Sequence, residues 1–80
     1  MIKPNTQAGR LLIHLQSGSK INRLLALIEL GIFELSARVI DLEKHGFIVN
    51  KKRVQVTNRF QEVASVTEYS LDARHFEGAS

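Results

Sequence analysis

The residues of this chain best suited to chemistry are cations rather than nucleophiles. Lys51, Lys52, Arg53 and Arg59 fall close together, opposed by Glu62 alone between positions 47 and 62. Lysine and arginine gathered in this way neutralise phosphate groups, which is the chemistry of binding a polyanion. The first twenty residues add Lys3, Arg10 and Lys20 with no acid. Positions 21–46 are more balanced, with Arg23, Arg38 and Lys44 against Glu29, Glu34, Asp41 and Glu43. The remainder carries Arg74 against Glu68, Asp72 and Glu77, and the whole chain has a net charge of +3. The plainer reading of this balance is a solvated surface with ordinary scatter.

Covalent and metal chemistry find little support. His14, His45 and His75 share no ligand spacing, and without cysteine there is neither a thiolate metal site nor a disulfide. No glycine-rich phosphate loop follows a strand, and no serine, histidine and acid form a defensible triad. The expectation is a protein that is not an enzyme, with no cofactor, no metal and no small-molecule substrate. A content of 44% hydrophobic and 24% charged residues is that of a globular chain, and 80 residues make one small core. No apolar run approaches the ~18–20 residues that span a bilayer, and MIKPNTQAGR lacks a secretory apolar segment. A cytoplasmic location without a membrane partner is therefore expected.

The elements that must position these cations can be read from spacing. Asn5 or Thr6 is expected to cap a first helix, in which Ala8, Leu11, Leu12 and Leu15 recur at helical intervals and which Ser17-Gly18-Ser19 ends. A second helix is expected from about Asn22 to Leu30. Gly31 then supplies the positive φ that closes a helix. A third helix runs from Phe33 or Glu34 to His45 and stops at Gly46. Beyond it the period becomes two, with β-rich Phe47-Ile48-Val49, alternating Val54-Gln55-Val56, and Val63, Ser65 and Thr67 against Ala64, Val66 and Glu68. Residues 57–62 form the hairpin tip, and a strand through Tyr69 and Leu71 closes the sheet. The expected class is α+β: a winged helix-turn-helix of three helices and a β-hairpin wing, one domain over 1–71 with a loose tail over 72–80.

On a wheel of the third helix, Leu35, Val39, Leu42 and Gly46 share the core side. The other side presents Ala37, Ile40, Asp41 and Lys44, flanked by Glu34 and Arg38. In a helix-turn-helix that outer side meets a nucleic-acid groove. Arg38 is the candidate for direct readout, since a guanidinium can bridge guanine O6 and N7; the alternative is an i,i+3 ion pair with Asp41. Ser36 and Ala37 are small enough for close approach. In the second helix, Leu24, Leu27, Ile28 and Leu30 form one apolar arc read as the core face, with Leu25 off its edge. Leu25, Ile28, Phe33 and Ile40 are candidates for a protein-binding patch, unless a small core wraps the second helix on most sides.

The stretch HLQSGSKINRLLALIELGIFELSARVIDLEKHGFIV resembles the small winged helix-turn-helix proteins common in bacteriophage and prophage genomes. The matching positions are His14, Leu15, Gly18, Ile21, Ala26, Leu27, Gly31, Ile32, Leu35, Ala37, Arg38, Leu42 and Gly46, and VASVTEYSL is similar to the family's closing strand. The resemblance covers about residues 11–71. It implies a DNA-binding regulator of phage type in a bacterial cytoplasm. The chain departs from the family at Glu34 and Glu43, where a basic residue is common. With Asp41 these make three acids against Arg38 and Lys44, so the third helix is net −1.

Two functions follow. The first is binding of double-stranded DNA by a small transcriptional regulator, or by an excision or replication accessory factor. Its expected contact residues are Arg23, Glu34, Ser36, Ala37, Arg38, Asp41, Lys44, Lys51, Lys52, Arg53, Asn58 and Arg59. The second is a protein-interaction module, dimerising or capturing another protein through helices two and three. RNA binding has less support, because no pair of stacking aromatics is visible on the strands.

Overall fold

The computed structural model describes residues 2–57 and 59–78. Each helix is bounded where the sequence supplies a group to satisfy its free backbone ends. Helix α1 (Gln7–Gln16) begins at Thr6, whose hydroxyl accepts from the Gly9 N–H at 3.0 Å and donates to the Lys3 carbonyl at 2.7 Å. Helix α2 (Arg23–Leu30) is capped by Asn22, which accepts from the Leu25 N–H at 3.0 Å. It ends at Gly31 (φ 66°), a left-handed conformation that glycine adopts without a Cβ clash. There the Gly31 N–H reaches the Leu27 carbonyl and the Ile32 N–H reaches that of Ala26. Helix α3 (Leu35–Lys44) follows after a four-residue turn from 31 to 34, and its cap position, Glu34, makes no side-chain bond to the helix. These bounds agree with the sequence reading to within about two residues.

Strands β1 (Val49–Thr57) and β2 (Val63–Leu71) pair antiparallel in unbroken register from Val49↔Leu71 to Thr57↔Val63. A third, one-residue strand joins them: Ile21 and Tyr69 exchange both backbone hydrogen bonds, at 2.9 and 2.7 Å. The bridge anchors the base of the hairpin to the residue before α2. The described molecule measures 41 × 24 × 19 Å. Such an elongated outline suits a ribbon that is packed at its base and free along its outer half. The architecture is the expected α+β one, three helices followed by a hairpin.

The core is built from Leu11 and Leu15 of α1, Ile21, Ala26 of α2, Ile32, Leu35, Val39 and Leu42 of α3, and Leu71. Leu11 and Leu15 lie one turn apart, as do Leu35, Val39 and Leu42, so each helix offers a single stripe. Gly9 permits a close crossing at the first of these helices. A Cβ there would fall on the Lys3 carbonyl, and the segment before α1 could not lie across it.

Two expectations require correction. The α2 arc of Leu24, Leu27 and Ile28 does not face the core; Ala26 is buried instead, Leu30 is half-buried, and Leu24 and Ile28 are 59% and 69% exposed. The helix rotation is set by its flanks: Ile21 and Ile32 are both buried, and small Ala26 lets α2 approach its neighbours closely. Arg10 locks the arrangement by donating from Nε to the Leu30 carbonyl at 3.0 Å, satisfying an open helix end.

The segment after Leu71 is not loose over its described part. A 3-10 turn at Ala73–His75 folds it back, Phe76 packs against the core, and the Glu77 N–H reaches the Gln16 carbonyl at 2.8 Å. The Ile48 N–H donates to His75 Nε2 at 3.0 Å, while the His75 ring meets Phe47 edge-on at 5.1 Å. Asp72 caps the turn, and the Arg74 N–H followed by the Arg74 guanidinium holds its carboxyl below the ordinary aspartate range.

Candidate nucleic-acid interface

Helix α3 lies between two concavities, and its residues divide between them. On one flank, a groove of about 700 Å³ separates the helix from the hairpin. Arg23 and Leu24 line it from α2, Phe33 and Glu34 from the turn, Ser36 from α3, and Arg53 and Thr67 from the ribbon. On the other flank, a shallower cleft of about 420 Å³ lies against the N-terminal segment, bordered by Lys3, Gln7, Arg38, Asp41 and Lys44. Between the two, Ile40 is 50% exposed and Ala37 is half-buried.

Strand alternation decides which cations face the groove. Lys51 shares a ribbon face with Val49 and Arg53, and Val49 packs against the core. Lys51 Nζ lies 3.3 Å from Glu43 Oε1 of α3, which ties the ribbon to that helix. Two residues further out, Arg53 donates from Nη1 to the Thr67 hydroxyl at 3.2 Å, directly across the strands. The Thr67 contact orients the guanidinium without cancelling its charge. Lys52 points to the other face, opposite Glu68, whose carboxylate also approaches Lys20 Nζ at 3.9 Å. The expected run of three cations therefore splits, with Lys51 and Arg53 beside α3 and Lys52 behind the ribbon. Arg59 sits at the tip with its guanidinium 5.1 Å from the centre of the Phe60 ring, and Asn58 lies outside the described residues.

The structure realises the ion pair at Arg38. Its Nε lies 3.1 Å from Asp41 Oδ2, and the Arg38 side chain is only 33% exposed. The approach lacks hydrogen-bond alignment, since Nε is enclosed without a well-directed acceptor. An i,i+3 pair of this kind contributes about 0.2–0.5 kcal/mol. Both partners border the cleft beside the start of α1, on the flank away from the hairpin. On the wheel Arg38 flanks the outer face; only the tertiary structure shows which neighbour that edge meets.

The other candidates are placed as follows. Arg23, Glu34 and Ser36 come together in the groove, while Asp41 and Lys44 border the opposite cleft. Leu25, Ile28, Phe33 and Ile40 are all exposed, with Phe33 at 79%. Leu24 and Leu27 are exposed too, which the sequence reading missed by assigning them to the core. Arg10, counted among the N-terminal cations, is engaged at the end of α2. Thr67, the partner of Arg53, was legible only as a strand residue. Among the described residues no group of three or more histidines or acids could hold a metal ion, and no helix is long and apolar enough to cross a membrane.

This geometry, a short turn between α2 and α3 with a basic ribbon set beside the second of them, defines a class of protein. The winged helix-turn-helix domain family matches residues 6–74, most of the chain and every described element up to Arg74. The chain belongs to that family, a domain type that suggests DNA binding in general. No curated protein and no solved structure matches it.

Proposed function

We propose that this chain binds double-stranded DNA, with the outer edge of α3 in the major groove and the hairpin on the adjacent backbone. We place it among the small regulators of phage or prophage type in a bacterial cytoplasm, acting in transcription, excision or replication. The observation that carries the reading is the convergence of Arg23 and Arg53. They come from elements thirty positions apart yet line one groove beside Ser36, at the start of the helix that would meet base edges. A sugar-phosphate strand running between α3 and the ribbon would pass both guanidinium groups. Arg59 extends the positive edge toward the tip, Lys51 lies nearer the base beside Glu43, and Lys44 offers a phosphate contact at the far end of α3. Helix α3 carries no net positive charge, and with its cap residue Glu34 is net −1, so affinity comes from this surrounding frame.

The test is a titration of random-sequence duplex by fluorescence anisotropy at low and moderate salt. Binding that weakens steeply with salt is expected. Absence of binding at low salt would overturn the reading.

A second reading is favoured by one observation. Leu24, Leu25, Leu27 and Ile28 are exposed together on α2, a helix of eight residues with Arg23 and Glu29 as its only charges. Exposed apolar side chains at this density on one helix form the kind of surface that protein partners cover. A second copy of the chain is the simplest occupant, because a two-fold pairing needs only one self-complementary patch and would double the length of DNA that could be read. Sedimentation of the wild type against Ile28→Glu tests it: a dimer converted to a monomer is expected, and a wild type that is monomeric at high concentration would refute it.

A further inference from the structure

We infer that α3 reads thymine methyl groups, with Ile40 and Ala37 as the contacting residues, so that the preferred site is one rich in thymine on its major-groove edge. The inference rests on the duplex-DNA reading above and adds to it the chemistry of base selection.

The argument proceeds by what α3 can and cannot offer. Bidentate recognition of guanine or adenine needs arginine, lysine, asparagine or glutamine aimed at a base edge. The helix LSARVIDLEK contains no asparagine or glutamine and a single arginine. That arginine, Arg38, is drawn to Asp41 and borders the cleft beside the N-terminal segment. Lys44 borders the same cleft from the last residue of the helix, one turn beyond Ile40. Glu34 is turned into the groove that Arg23 and Arg53 share. Glu43 is held by Lys51 Nζ at 3.3 and 3.4 Å.

What remains on the outer edge is Ser36, Ala37 and Ile40. A serine hydroxyl accepts or donates with any base and discriminates little. Ala37 and Ile40 lie three residues apart, hence on one face, and Ile40 leaves half its surface in solvent. The C5-methyl of thymine is the apolar feature that a major groove presents, and aliphatic side chains are its natural contact. Covering one methyl is worth about a fourfold gain in affinity, and two about tenfold or more.

The experiment isolates that methyl. Duplexes selected by the protein from a random pool are resynthesised with deoxyuridine in place of thymidine, which removes the C5-methyl and leaves every hydrogen-bonding group intact. Wild-type protein is expected to bind the thymine duplexes about fourfold to tenfold more tightly, with the same salt slope on both. Ile40→Ala should lose most of that difference while keeping the slope; Ile40 is half-exposed, so the variant keeps its fold, which circular dichroism checks. Equal binding of thymine and deoxyuridine duplexes by the wild type overturns the inference and leaves the DNA-binding reading standing. So does a difference that survives in Ile40→Ala. Failure to bind any duplex at low salt overturns both.

Discussion

Replacing Arg53 by alanine should have a different consequence from replacing its neighbour Lys52, although both remove one positive charge from the same strand. Arg53 lies on the ribbon face that Lys51 ties to α3, and it lines the groove with Arg23 and Ser36. Lys52 is on the reverse face, set across from Glu68. If a DNA backbone occupies the groove, Arg53 displaces condensed counterions from it and Lys52 does not. Each phosphate contact contributes about 0.9 to the slope of log affinity against log salt, so raising salt from ~50 to ~200 mM weakens binding about 3.5-fold per contact. Arg53→Ala should therefore lower the slope by about 0.9. Lys52→Ala should leave it within ~0.3, since a charge on the far side of the ribbon acts across a distance comparable with the ~10 Å screening length at ~0.1 M salt. The measurement is anisotropy titration of a random duplex at four or more salt concentrations, with each variant's fold checked by circular dichroism. Equal slope changes for the two variants would refute the placement of DNA between α3 and the hairpin, even if binding itself were strong.

Further consequences concern stability. Gly9→Ala would raise helix propensity by about 1 kcal/mol on an open helix, but here the added methyl meets the Lys3 carbonyl, and overpacking of this kind costs about 1–3 kcal/mol. Net destabilisation in urea unfolding is expected, and a gain in stability would show that the N-terminal segment does not cross α1 there. The Asp72 carboxyl titrates below its ordinary value in the folded chain, so its contribution is complete above the unfolded pKa of ~3.9 and is lost as pH falls through the lower folded value. Asp72→Asn should accordingly flatten the acid limb of the stability curve below about pH 4 and leave its pH dependence near neutrality unchanged. Arg10→Met should lower stability by roughly 1 kcal/mol or more through the open carbonyl of Leu30, whereas removal of exposed Ile13 should change it little.

Much of the architecture was legible because its signals are local. Thr6 and Asn22 cap helices by reaching three residues forward, and Gly31 closes α2 through its own backbone. Such contacts are fixed by sequence spacing and need no knowledge of distant neighbours. The α3 core stripe was legible for the same reason, since Leu35, Val39 and Leu42 share one face of any helix. The α2 face was not. A wheel ranks faces by apolar content, and the most apolar face of α2 is the one left in solvent. Nor was the docked segment at 72–78 legible: it has no period, and its anchors are contacts to residues distant in sequence, among them Phe47, Ile48 and Gln16.

By itself the sequence determined three helices, the bend at Gly31, a hairpin and the concentration of positive charge along it. These follow from propensity, capping and alternation, which act over a few residues. The tertiary structure decided how each element is rotated about its axis, and with it the candidate site. Pinning Ile21 to Tyr69 and burying Ile32 turned the leucines of α2 outward. Packing of Val49 and Leu71 on the core set one ribbon face toward α3, and alternation then brought Arg53 into the groove and sent Lys52 behind it. Rotation depends on contacts between residues far apart in the chain, and no pattern within a single element encodes it.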